Sequence, residues 1–499
     1  MSILFINKQT EAEKDQFLFD CFHDTGLINE LIESSYSIIS GRKGAGKTAV
    51  ARYMEHNPNS FGIDYAYRIS IRNFNSLHEK KDKETLDSIL FYIITKTVQK
   101  LLREEYFLGE TKNYWRDFIT RNGLQNISDY ESFIATKKTK RSGLSLKAIA
   151  TFGFLKGEAG GNCEQETLNE RVAISTAPSA LFESLRQSIN CKDKMFILID
   201  DITDYLDKSS KSDIKRDIDV IKDLLLQLQT YNLSFIDSNL KIRFISLVRD
   251  DIFEFMQGSN INKIKTDSLR LEWSEKDFAS LIIKRMIPFK KNLEEALRDP
   301  VRTLKDKFPD EIFSEVLNEF KTNRYMTNFY AYMSAISFNR PRDYLQFCYA
   351  LRNRLSEKDP ATFENIESAE IEYCDYFIQE LRDELFIVSQ IFDYDLTEER
   401  INKLVDILSN KERFNSSELK TELSKFIGQK TSVGWKKIEI LVSELWRYGI
   451  LGVTEKQDKI IRFKYLSDAA IFTSNKIKQY TFYLHRGLWW FAKKYRNSK

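Results

Sequence analysis

Eight residues constrain this chain more than any others: Gly41-Arg42-Lys43-Gly44-Ala45-Gly46-Lys47-Thr48 follow the spacing GxxxxGK[ST]. A short β-rich run, Tyr36-Ser37-Ile38-Ile39, precedes them, and Ala49-Val50-Ala51-Arg52-Tyr53-Met54 follows with helical character. The pattern therefore predicts strand, loop, helix. Glycines let such a loop turn its backbone N–H groups toward one anion, and the N-terminus of the following helix adds partial positive charge. Phosphate is the ligand that suits this arrangement. Lys47 is placed to reach β- and γ-phosphates, the Thr48 hydroxyl to ligate Mg²⁺, and Gly41, Arg42, Lys43, Gly44, Ala45, Gly46 and Ala49 to complete the cradle.

A phosphate–magnesium site also needs a carboxylate at the end of a neighbouring buried strand. Met195-Phe196-Ile197-Leu198-Ile199 is a continuous apolar run ending in Asp200-Asp201, as a parallel strand buried on both faces should read. Asp200 is the expected magnesium-side ligand, and Asp201 the acid that polarises water, with Asp204 as a competitor; alternatively Asp201 and Asp204 cap the next helix. A further strand, residues 242–248, runs into Arg249. That arginine either faces the phosphate crevice as a γ-phosphate sensor or forms a surface ion pair with Asp250 or Asp251.

With these residues in place, the order of elements resembles the AAA+/STAND branch of P-loop ATPases. The likeness is to the stand-alone ATPases found among prokaryotic anti-phage defence genes and to the origin-recognition type. The resemblance implies an α/β fold: a P-loop NTPase parallel sheet with a large helical insertion, an α-helical lid and a C-terminal winged-helix domain. It implies ATP and Mg²⁺ as cofactors, ATPase activity, and Arg249 as the first sensor. Asn339-Arg340-Pro341-Arg342-Asp343 resembles the lid motif of the second sensor, which makes Arg342 the carried-over residue and Arg340 its neighbour. Typical members have Glu where this chain has Asp201, which implies slow hydrolysis. No repeat sensor array or fused effector is recognisable.

Length sets the frame for these motifs, since 499 residues exceed what one core can organise and call for two to four domains. The expected core spans residues 1–275, with an insertion at about 73–190, because 123 residues separate the strand at 64–71 from that at 195. Within the insertion, residues 84–102 and 106–134 read as mainly helical, and 137–162 as a mobile excursion whose Lys137, Lys138, Lys140 and Arg141 form a short basic run. Helical spacing of Ile214, Ile218, Ile221, Leu225 and Leu228 predicts an amphipathic helix, and 269–273 alternates as a last core strand. Residues 276–370 read as the helical lid. Lys263, Lys265 and Arg285 are candidates for a finger reaching a neighbouring subunit, or plain surface residues.

Residues 371–499 form the third expected domain. Helices at 416–426 and 433–448, followed by a hairpin of 450–453 with 460–465, give it the winged-helix reading. From residue 411 onward, 19 Lys and Arg face 8 Asp and Glu, a local charge of +11, while residues 1–410 carry −8. Lys436, Lys437 and Arg447 would face DNA in such a module, although Glu439 and Glu444 on the same helix would repel it, and protein docking is the alternative. The tail from 480 suits core packing or a protein interface. No run approaches the ~20 apolar residues of a membrane span, no secretory signal opens the chain, and five scattered cysteines and four scattered histidines make neither a disulfide framework nor a metal pattern. A soluble cytoplasmic chain with reduced thiols and no membrane contact is expected. The leading functional reading is an ATP-driven switch that acts with a protein effector or as a homo-oligomer in prokaryotic defence. The rivals are an ATP-gated DNA-binding protein of replication or repair and a non-hydrolysing nucleotide-bound scaffold.

Overall fold

The computed structural model of the chain describes residues 11–71, 82–121, 170–203, 214–256, 258, 260–286, 292–313, 328–352, 354–355, 359–392, 397–411, 413–427, 434–455 and 479–488. They fall into two compact units, one of Gly26–Lys43 and Lys47–Leu271, the other of Met1–Thr25, Gly44–Gly46 and Glu272–Lys499.

The first unit is a mixed α/β body on a five-stranded parallel sheet. β1 (Ile38–Gly41) leads to α1 (Lys47–His56) and β2 (Tyr65–Ser70). Three helices come next, α2 (Asp82–Arg103), α3 (Thr111–Arg121) and α4 (Glu170–Ser188), then β3 (Met195–Asp200), α5 (Ile214–Asp237), β4 (Ile242–Arg249) and β5 (Ser268–Arg270). The strand order is β2-β3-β4-β1-β5, every pair parallel. All six residues of β3 are buried, which is why that segment is an uninterrupted apolar run. α5 turns Ile218, Ile221, Leu225 and Leu228 inward and its Asn232 side chain exchanges hydrogen bonds with the Phe244 backbone of β4 (2.9 and 2.7 Å). Phe182 of α4 stacks on Tyr231 of α5 with centroids 3.7 Å apart.

The expected strands at 64–71, 195–200 and 242–248 are present, and the last core strand is shorter than its alternation suggested, ending at Arg270. Between β2 and β3, α2 and α3 match the helical reading of the insertion. The basic run at 137–141 and the excursion at 137–162 lie outside the described residues, as does Asp204.

The second unit is mainly helical. Its principal elements are α6 (Glu275–Arg285), α7 (Phe329–Ile336), α8 (Pro341–Leu351), α9 (Phe363–Phe392) and α10 (Glu398–Leu408). Then come β6 (Phe414–Asn415), α11 (Ser416–Ile427), α12 (Gly434–Arg447), β7 (Leu451–Glu455) and β8 (Tyr480–Leu484). Residue 370, the expected end of the lid, lies inside the 30-residue helix α9. β8 pairs antiparallel with both β6 and β7 and occupies the centre of a three-stranded sheet. The start of the tail is therefore core, with Tyr480, Phe482 and Leu484 turned inward. Residues 460–465, expected as a hairpin arm, lie outside the described residues, as do the residues after 488.

Beyond β8 the chain is locked onto α7 and α9. Buried His485 bonds through Nε2 to Ser337 O (3.1 Å) and stacks on Phe377, while Arg486 grips Glu370 with Nε and Nη2 (3.1 and 3.2 Å). Among the described residues no helix is long and apolar enough to cross a membrane. Cys21, Cys191, Cys348 and Cys374 are buried and in no disulfide, and burial pushes the Cys191 thiol up to about 11 and raises that of Cys348 further.

Candidate functional site

The chain leaves β1 toward β2 on one side of the sheet and leaves β4 toward β5 on the other. The carboxyl ends beside β1 are thus a topological switch point, the position at which ligands of open α/β sheets bind. Three neighbouring strand ends meet there. Gly41 closes β1 and pairs in register with Arg249, the last residue of β4, while Asp200 closes β3 on the far side of β4.

The loop after β1 needs its glycines for stated geometric reasons. Gly44 and Gly46 have φ of 82° and 103°, the left-handed region that a Cβ makes costly. A Cβ on Gly44 would also stand 3.3 Å from Cβ of Arg342 and 3.5 Å from Nε of Arg340. Lys47 opens α1 and folds back, donating from Nζ to the carbonyls of Gly41 (2.7 Å) and Arg42 (3.0 Å). Thr48 and Ala49 follow in the first turn, half-buried. At the loop's tip, indole Nε1 of Trp273 donates to Ala45 O (2.9 Å), and Trp273 stacks on Phe278, which stacks on Tyr344 of α8 at 3.8 Å.

Two carboxylates lie buried at the end of β3, with Asp200 3% and Asp201 7% exposed. Asp200 Oδ1 accepts the Asp201 N–H (2.9 Å), and its Oδ2 accepts Nε of Arg68 (2.7 Å). Asp201 Oδ2 accepts Arg68 Nη2 (3.1 Å) and the Ser70 hydroxyl. Asp201 also adopts φ of 61°, a conformation in which Asp and Asn are several-fold enriched over other side chains. The next described helix, α5, begins at Ile214, and whatever Asp201 and Asp204 cap lies outside the described residues.

The arginines sort differently from their surface alternatives. Arg249 is 5% exposed and so is not a surface residue, and Asp250 pairs with Arg270 (3.4 Å). Arg285 is buried and bonded to Asp15, which removes it as a finger; Lys263 and Lys265 are exposed. Asn339 carries φ of 57° and accepts the Tyr344 hydroxyl (2.9 Å), and Pro341 takes the first turn of α8 where its missing N–H costs nothing. Arg340, 1% exposed, bonds both oxygens of Asp343 (2.9 and 2.8 Å). Arg342 is half-buried, with Nη1 3.5 Å from Glu380 of α9.

Sequence reasoning missed Arg68, Ser70, Trp273 and Glu380. Only the first two left a trace: a cation and a hydroxyl two apart in a strand share one face, and the register sets Ser70 opposite Asp200. Lys436 and Lys437 lie on α12 with side chains outside the described residues, while Arg447 pairs with Glu444 (3.3 Å). No protein-family model matches the chain, and no curated protein matches it.

The residues present fit a magnesium nucleotide. Among the described residues no group of three or more His, Cys, Asp or Glu side chains converges. Magnesium needs none, since it is usually held by one or two carboxylates plus phosphate oxygens and water. Asp200 and Asp201 are hard oxygen donors of that type, and at φ of 82° Gly44 would be strained by any side chain.

Proposed function

We propose that the chain binds ATP with Mg²⁺ through loop 41–48 and hydrolyses it slowly, as a P-loop NTPase of the AAA+/STAND kind. The observation that carries this reading is the loop itself: two left-handed glycines between a buried strand and a helix, with Lys47 opening the helix. ATP, when bound, supplies the γ-phosphoryl group. Loop N–H groups and the α1 N-terminus orient the phosphates, and Lys47 exchanges its bonds to Gly41 and Arg42 carbonyls for phosphate oxygens. Thr48 and Asp200 would hold the metal, Asp201 would orient the attacking water, and Arg249 would read the γ-phosphate; Arg342 keeps the second-sensor role by resemblance alone.

The same reading takes α10, α11, α12 and the β6-β8-β7 sheet as a winged helix. By resemblance, the switch works in the cytoplasm with a protein effector or as a homo-oligomer in prokaryotic defence. The Arg447–Glu444 pair, which occupies a cation that DNA would require, favours protein docking over a DNA face. Calorimetric titration with MgATP tests the core of the proposal. Wild type binds and releases phosphate slowly; Lys47→Ala loses binding by at least ~100-fold while it still melts cooperatively, with only the modest loss of stability expected from its bonds to the Gly41 and Arg42 carbonyls. Equal MgATP affinity in both proteins would refute it.

A further inference from the structure

Arg68 belongs to no part of the mechanism just described, yet it touches the two acids on which that mechanism depends. Its guanidinium lies across both buried carboxylates, with Nε 2.7 Å from Asp200 and Nη2 3.1 Å from Asp201. Both oxygens of Asp200 are engaged, one by Arg68 and one by the Asp201 amide. We infer that Arg68 is a built-in counter-cation, which a divalent metal ion must displace before Asp200 can ligate it; the inference rests on the proposed magnesium site.

Three observations carry it. The first is charge: the guanidinium cation already lying on buried Asp200 and Asp201 opposes the arrival of a second cation at the same oxygens. The second is space. β2 is the outer strand of the sheet, and the Arg68 side chain is 16% exposed, so it has solvent to swing into by a change of rotamer. The third is anchoring. The Arg68 backbone N–H donates to Glu55 of α1 (3.1 Å), so the strand is held to the helix that starts at Lys47 while the side chain moves. In this arrangement the metal-free state is locked by Arg68, and metal entry exchanges one ion pair for another without leaving a buried charge alone.

The test uses the full chain with Mn²⁺ alone as the probe, following free Mn²⁺ by electron paramagnetic resonance. Arg68→Gln should bind Mn²⁺ at least ten-fold more tightly than wild type, and adding Asp200→Asn should abolish the gain. Equal or weaker binding by Arg68→Gln, no binding by either protein, or a gain that survives Asp200→Asn overturns the inference. Should Arg68→Gln fail to fold, the wild type still decides. Its Arg68 Nε–H resonance, assigned with Arg68→Lys, should shift and lose solvent protection as Mg²⁺ is added, and a resonance unmoved at metal saturation overturns the inference. MgATP binding is measured separately. A wild type that binds no nucleotide refutes the proposed function, while the Mn²⁺ comparison still decides the role of Arg68.

Discussion

Replacing Asp201 by glutamate inserts the acid that the resembled ATPases carry, and the backbone at this position makes the exchange costly. At φ of 61° the chain is in the left-handed region, where an L-residue pays roughly 1–2 kcal/mol unless a short polar side chain compensates locally. Aspartate does so; glutamate does not. The extra methylene also carries the carboxylate about one bond, ~1.5 Å, away from where Ser70 and Arg68 meet it. Losing or straining one charge-assisted hydrogen bond costs about 1.5–3 kcal/mol. Together these terms give ~2.5–5 kcal/mol of destabilisation, or a melting temperature lower by ~5–20 °C for a unit of this size. Asp201→Asn is the control, because asparagine also tolerates the left-handed region and keeps an acceptor for Ser70; it should lose about 1 kcal/mol and retain MgATP binding with slower hydrolysis. Urea unfolding and thermal melts of all three proteins measure the effect. A glutamate variant within ~0.5 kcal/mol of wild type, or an asparagine variant less stable than the glutamate one, would show that the backbone does not dictate the choice of acid.

Two further outcomes follow from the second unit. A Cβ at Gly487 would stand 2.4 Å from the Ile336 carbonyl and 3.0 Å from the Phe377 ring, so Gly487→Ala should lower stability by ~1–3 kcal/mol, with near-normal stability in a thermal melt as the refuting result. Asp277 caps α6: burial raises its carboxyl pKa, but hydrogen bonds from His23 and Ser274 outweigh that and hold it below the usual range. Its contribution is therefore complete above the ordinary aspartate value of ~3.9 and lost as pH falls through the lower folded value. In urea unfolding, the gap between wild type and Asp277→Asn should shrink as pH falls below about 3.9; a gap that widens below that value would contradict the assignment.

Much of this molecule is legible in one dimension because the signals are local. Loop 41–48 is a spacing of glycines whose φ demands only glycine meets, and β3 and β4 are apolar runs because both faces are covered. The helical spacing of α5 likewise reports its buried side directly. The same locality explains what was missed. Arg68 and Asp200 are 132 residues apart, and only the pairing of β2 with β3 brings them together. Trp273 reaches Ala45 across 228 residues, and no periodicity announces it. Arg285 illustrates the reverse: its sequence neighbours left a surface role open, and long-range packing against Asp15 buried it. For Tyr480, Phe482 and Leu484 core packing and a protein interface both fitted the sequence, and the position of β8 between β6 and β7 makes them core. Composition and spacing determined which segments must be loop, strand and helix, because backbone sterics and burial act residue by residue. Strand order, the partner of each buried charge and the left-handed turn at Asp201 were decided by tertiary structure, because they are set by residues that chain length separates and only the sheet and its packing join.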